Sequence, residues 1–261
     1  MVKITGIPFD SPLYEIDAER GVQYVGCEAL AAVFTVAGEV GGLLPTGLRL
    51  SATPALGALL VADYPMSTLG AYHEVVSLIQ VVGPDGELGM YVPYIYVTND
   101  AALAAGREVL GAPKKLARIS LERDCDVLQG TMERPAGKRL LTFTMKPTDR
   151  AEPDALGVVA PAGVPMYSLR QSPALPGQPA IVELVRWYSD VLVAKGAGGE
   201  PLAFSGPASI TFDSPSAIDP IHRVGVGELI GALWMRFDMA LRPGGVVETT
   251  EDRRVMAGIE P

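Results

Sequence analysis

The sequence predicts an α+β protein built on a large antiparallel sheet or barrel, with two or three helices packed on it. Three observations carry this. Runs rich in branched and aromatic residues recur at 59–61, 75–82, 91–97, 140–145, 181–188, 191–194 and 209–212. The 29 glycines and 22 prolines are spread along the chain, as the punctuation of many short strands requires. Stretches with helical character are few.

In chain order, residues 37–44 read as a short helix that stops before Pro45 and is weakened by Gly41 and Gly42. Gly83-Pro84-Asp85-Gly86 lies between the runs at 75–82 and 91–97 and reads as a hairpin turn. Asn99 or Asp100 can cap a helix over 101–110, where Ala-Ala-Leu-Ala-Ala has high helix propensity; Gly111 and Pro113 stop it. Pro135-Ala136-Gly137-Lys138 reads as a second hairpin turn, and 195–200 as a loop. Residues 226–241 place Leu229, Ile230, Leu233, Trp234 and Phe237 at helical spacing, which predicts a helix with Trp234 and Phe237 on one packed face. With no linker and no internal repeat, one domain over 1–261 is expected.

Composition narrows the function. A chain of 261 residues, 48% apolar and 20% charged, can bury a substantial core. Its net charge of −9 argues against nucleic acid, which needs a Lys/Arg footprint. No run approaches the roughly 18 apolar residues of a membrane span, and the first residues lack the long apolar region of a secretory signal. Only Cys27 and Cys125 are present, so a reducing cytoplasm is the expected location. There is no CxxC, HExxH or calcium-loop pattern and no GxGxxG or GxxxxGK[ST], so neither a metal nor a nucleotide cofactor is expected.

The segment Gly106-Arg-Glu-Val-Leu-Gly-Ala-Pro-Lys-Lys-Leu-Ala117 places adjacent lysines, Lys114 and Lys115, just after a helix end. Taken alone, the pair is compatible with two solvated side chains. With its surroundings, the sequence resembles the acetoacetate decarboxylase family. The GRE…PKKL segment matches the family's Schiff-base lysine motif, whose first lysine falls on Lys114. Gly70-Ala-Tyr-His-Glu74 matches the segment that carries an active-site glutamate, at Glu74. Met166-Tyr-Ser-Leu-Arg-Gln-Ser-Pro173, Gly177-Gln-Pro-Ala-Ile-Val-Glu-Leu184 and Phe204-Ser-Gly-Pro207 follow in the family's order. The resemblance implies an antiparallel β-barrel with a few packed helices, homo-oligomers, and a cofactor-independent lyase acting on a keto acid or ketone through a Lys114 imine. An aldolase–dehydratase using the same lysine is the alternative within enzymes, and a non-catalytic small-molecule binder the alternative outside them.

A lysine attacks a ketone only as the free amine, whereas an ordinary lysine has a pKa of about 10.4. Burial in apolar surroundings can lower that by as much as ~3–5 units. Lys114 and Lys115 on an extended strand would point to opposite faces. Desolvation is therefore expected to be the larger influence on Lys114 and the Lys115 charge the smaller. Lys114, Glu74 and Lys115 form the expected catalytic set, with Glu74 shuttling protons. His73 is expected on the alternate face. Tyr94 and Tyr96, two apart on a strand, share a face and are candidate substrate contacts. Cys27 is not expected to be a nucleophile, because an apolar setting raises a thiol's pKa. Two family features look absent: a second glutamate, which an ungapped count puts at Leu59, and an arginine near 25–30, where Arg20 could serve only with a gap. Their loss would make the pocket less polar and favour a larger or less polar carbonyl substrate than acetoacetate.

Overall fold

The structure is a computed structural model that describes residues 14, 17, 19–151, 163–172 and 179–252. Strands dominate it, in the order β1 (Val22–Val36), β2 (Arg49–Leu50), β3 (Leu56–Tyr64), β4 (Met66–Ser67), β5 (Tyr72–Val82) and β6 (Leu88–Val97). Helix α1 (Asp100–Ala105) follows and runs into one π-helical turn at Gly106–Leu110. Then come β7 (Lys114–Leu116), β8 (Arg118–Asp124), β9 (Val127–Glu133), β10 (Arg139–Met145) and β11 (Asp149–Arg150). The remainder is β12 (Met166–Ser172), β13 (Ala180–Val193), β14 (Ala203–Ser205), β15 (Ala208–Thr211) and β16 (Val226–Asp252).

Strands β16, β13, β12, β6, β5, β3 and β1 pair in that order, and β1 pairs again with β16, so the pairings close a ring. The ring is antiparallel except at β6, which pairs in parallel with β12 and carries β7 in parallel as well. A second sheet, β15-β10-β9-β8, packs against it. Strand alternation splits the apolar residues between the two faces of the large sheet. Tyr72, Val76, Ile95 and Val97 join a core that includes Ala102 and Ala105 of α1. Val75, Ile79, Tyr91 and Tyr96 join the other core, with Leu128, Leu140 and Phe143 of the second sheet.

Both expected hairpins form: Gly83 N donates to Glu87 O at 2.8 Å, and Arg134 N to Lys138 O at 3.0 Å. Asn99 caps α1, its side chain accepting from Ala102 N at 3.0 Å. Residues 195–200 form a turn closed by a Lys195–Pro201 bridge. Two helix expectations fail. The segment 37–44 keeps one 3₁₀ turn, Gly41–Leu43, because its glycine pair is a poor helix former. The segment 226–241 is the start of β16. Its apolar residues satisfy both periods: Leu233, Met235, Phe237 and Leu241 face one core, while Ala232 and Trp234 face the other. It pairs with β1 along one edge and with β14 and the end of β13 along the other, and Gly227 and Gly231 weaken the helical alternative.

Candidate active site

The segment that delivers Lys114 is fixed before the lysine is reached. The π turn ends at Gly111 in the left-handed region (φ 67°), where a Cβ would stand 2.5 Å from Arg170 N. Ser168 Oγ donates to Leu110 O and accepts from Trp187 Nε1 at 3.0 Å, tying the end of this turn to β12 and β13. Arg107 Nη1 reaches Lys114 O at 3.3 Å. The parallel register Ile95↔Lys114 then places Lys114 on the Ile95 face of the sheet. The register Val97↔Glu74 places Glu74 on that same face. Side chains 40 residues apart thus meet: Lys114 Nζ donates to Glu74 Oε2 at 2.8 Å, and both side chains are at most 10% exposed.

Around this pair the surroundings are aromatic and apolar. Tyr64 OH donates to Glu74 Oε1 at 3.3 Å. Lys114 Nζ lies 5.5 Å from the centre of the Tyr72 ring. The Tyr24 and Tyr72 hydroxyls meet at 2.9 Å, and the Tyr64 ring stands 4.9 Å from each of the other two rings. Burial, and after it the Glu74 carboxylate, pushes the Tyr24, Tyr64 and Tyr72 hydroxyls above the ordinary phenol range. They therefore remain protonated donors in ordinary buffers. Gly106 closes the other side: a Cβ there would stand 2.5 Å from Lys114 Cδ and 2.7 Å from Cε.

Lys115 is not brought into this cluster. It points to the opposite face, as strand alternation predicts, where its Nζ bonds Asp219 Oδ1 at 3.0 Å and also Ile218 O. Arg134 Nε holds the same Asp219 oxygen at 3.0 Å. Tyr94 and Tyr96 also face away from Lys114, in the core shared with the second sheet. The two-residue period was read correctly for them, but which face held the chemistry depended on the β5–β6 register. His73 turns from the site and pairs with Asp63 at 3.5 Å. Leu59 is buried in the opposite core, so the ungapped position of the second glutamate does not face Lys114. In the 25–30 segment Cys27 and Ala29 face the Lys114 side, and Arg20 is exposed. Burial, then Asp238 and Asp63, pushes the Cys27 thiol up to about 12, in keeping with an unreactive sulfur. Among the described residues, no three His, Cys, Asp or Glu side chains are grouped to hold a metal ion. None of the helices there is long and apolar enough to cross a membrane.

Sequence reasoning missed Tyr24, Tyr64, Tyr72 and Gly106. Tyr72 was the findable one, since it stands two residues before Glu74 on a strand and must share its face. Tyr64 and Tyr24 required the pairings Tyr64↔Tyr72 and of β1 with β3.

The profile of the acetoacetate decarboxylase family matches residues 10–250. The chain belongs to the acetoacetate decarboxylase family. Acetoacetate decarboxylase 1 of Bradyrhizobium diazoefficiens is 34% identical over 183 residues, covering 70% of this chain and 69% of that relative. The crystal structure of acetoacetate decarboxylase from Legionella pneumophila matches with a TM-score of 0.78 at 24% identity, over 91% of this chain and 90% of that one. The enduracididine biosynthesis enzyme MppR, solved with the condensation product of pyruvate and imidazole 4-carboxaldehyde, shares the fold. Its TM-score is 0.70 at 17% identity, over 93% of this chain and 92% of the other.

Proposed function

We propose that this member of the acetoacetate decarboxylase family is a carbon–carbon lyase that forms a Schiff base between Lys114 and a small keto acid, and that it decarboxylates a β-keto acid. The observation that carries the reading is the buried 2.8 Å contact between Lys114 Nζ and Glu74. The amine is delivered, dry, to one carboxylate able to exchange protons with it.

The steps balance on these two groups. Glu74 takes a proton from Nζ, and the free amine attacks the ketone carbon to give a carbinolamine. Glu74 returns a proton to the departing hydroxyl, which leaves as water, and an iminium remains. The electron pair of the bond to the carboxylate flows into the iminium as CO₂ departs, giving an enamine. Protonation of the enamine carbon and hydrolysis of the resulting iminium release the ketone and restore Lys114. Tyr64, bonded to the second oxygen of Glu74, keeps the carboxylate aimed through these transfers.

Borohydride trapping with candidate ketones, followed by mass spectrometry of the Lys114 peptide, tests the imine. An adduct on Lys114, lost together with CO₂ release in Lys114→Ala, is the expected result. No adduct on the native protein would remove the reading and leave a small-molecule binder. The aldolase–dehydratase reading uses the same enamine with an aldehyde as acceptor; among the described residues β3 and β1 place Ala58, Ala62, Cys27 and Ala29 on the Lys114 face, an apolar lining that suits such an acceptor. Incubation with pyruvate and an aromatic aldehyde separates the two: a conjugated chromophore without CO₂ release would select the aldol route.

A further inference from the structure

Three buried phenols surround Lys114 and Glu74, and their protons can be counted. Each hydroxyl has one proton to donate. That of Tyr64 goes to Glu74 Oε1. The hydroxyls of Tyr24 and Tyr72 meet at 2.9 Å and have no other hydrogen-bond partner among the described residues. One of them donates to the other, so one phenolic proton is left without an acceptor. Both residues are buried, at 2% and 3% exposure, where an unspent donor carries a free-energy penalty that a ligand oxygen would relieve. The pair sits beside the reacting amine, since Lys114 Nζ lies over the Tyr72 ring. Among the described residues no arginine is buried, and on this face β1 presents Cys27 and Ala29.

We propose that the Tyr24–Tyr72 hydroxyl pair binds the carboxylate of a keto acid whose ketone carbon is attacked by Lys114. The proposal rests on the Schiff-base reading and narrows it: the substrate's acid group is held by a neutral donor instead of a cation. A neutral donor orients the carboxylate without offering a full opposite charge to the group that must lose its charge as CO₂ departs. The ground state is thereby stabilised less relative to the transition state. The ketone oxygen, which leaves as water, belongs at Glu74, and the acid group at the far end of the Tyr72 ring.

The double variant Tyr24→Phe/Tyr72→Phe tests this. It keeps both rings and removes both partners of the mutual hydrogen bond, a change that leaves no orphaned group and is compatible with an unaltered melting temperature. The expected result is a rise of at least ~tenfold in KM for a β-keto acid, well beyond any accompanying change in borohydride trapping of butanone at Lys114. Each single variant still leaves one hydroxyl free to donate, so each is expected to have a smaller effect than the pair. On the native protein, butyrate, which has the carboxylate and no ketone, is expected to compete with the keto acid. An unchanged KM in the double variant, a parallel loss of butanone trapping, or an absence of competition by butyrate would each overturn the proposal. If the native protein traps no butanone at all, the Schiff-base reading fails first and takes this one with it.

Discussion

At the scale of single residues, Glu74 is the most exposed to loss, in the energetic sense, because its partner is buried with it. Glu74→Ala leaves the Lys114 amine without its counter-charge in an apolar core. Removing one member of a buried pair destabilises by about 3–5 kcal/mol. Urea unfolding is expected to register that loss, and trapping at Lys114 to slow with it. The two cysteines differ by environment: Cys27 is buried and Cys125 exposed. At pH 8 a thiol reagent is expected to modify Cys125 in the native protein and both residues after denaturation. Because the folded Cys27 thiol titrates at about 12, above the ordinary 9.0, the folded state binds its proton more tightly. Its contribution to stability is complete below pH ~9 and fades as pH rises toward 12. Melting temperatures measured from pH 8 upward should fall accordingly. Lys115→Gln, which touches only the Asp219 side of the sheet, is expected to retain the adduct at Lys114.

At the scale of elements, the stretch from α1 to β7 is a positioning device, and Gly106 is its tightest point. A methyl group at Gly106 would meet Lys114 Cδ and Cε inside van der Waals contact, and the chain could yield only by drawing Nζ away from Glu74. Gly106→Ala is therefore expected to slow imine formation with little change in secondary structure. Circular dichroism and the rate of borohydride trapping measure the two effects separately. The capped helix, its glycine stop and both hairpins were legible in the sequence, because each depends on residues within one turn of one another: Asn99 and Ala102, Gly83 and Glu87, Arg134 and Lys138. The start of β16 was not legible. An apolar run such as 229–237 satisfies a period of 3.6 as well as one of 2. The choice fell to β1 along one edge and to β14 and the end of β13 along the other, distant segments that satisfy its backbone from both sides.

At the scale of the whole molecule, the closed ring makes the site a product of several registers at once. Phe34 marks the closure: on β1 it faces Gly57 of β3 and Leu229 of β16, and it is fully buried. Phe34→Ala is expected to lower stability by about 3–5 kcal/mol in denaturant unfolding, through lost burial and the cavity left behind. The candidate site was half legible for the same reason. Lys114 and Glu74 were named through the family resemblance of the short segments that carry them, not from local pattern alone. Tyr94 and Tyr96 were given the correct common face but the wrong side of the sheet, while Tyr24 and Tyr64 gave no local signal.

By itself the sequence determined the strand-rich α+β class, the capped turn before Lys114 and the opposite orientations of Lys114 and Lys115, since short-range geometry and the alternation of a strand are written into neighbouring residues. Only the tertiary structure decided that Glu74 meets Lys114, that three phenols enclose them, and that Asp219 takes Lys115. Those contacts follow from pairing register between distant strands, where a shift of one residue would turn every side chain to the other face.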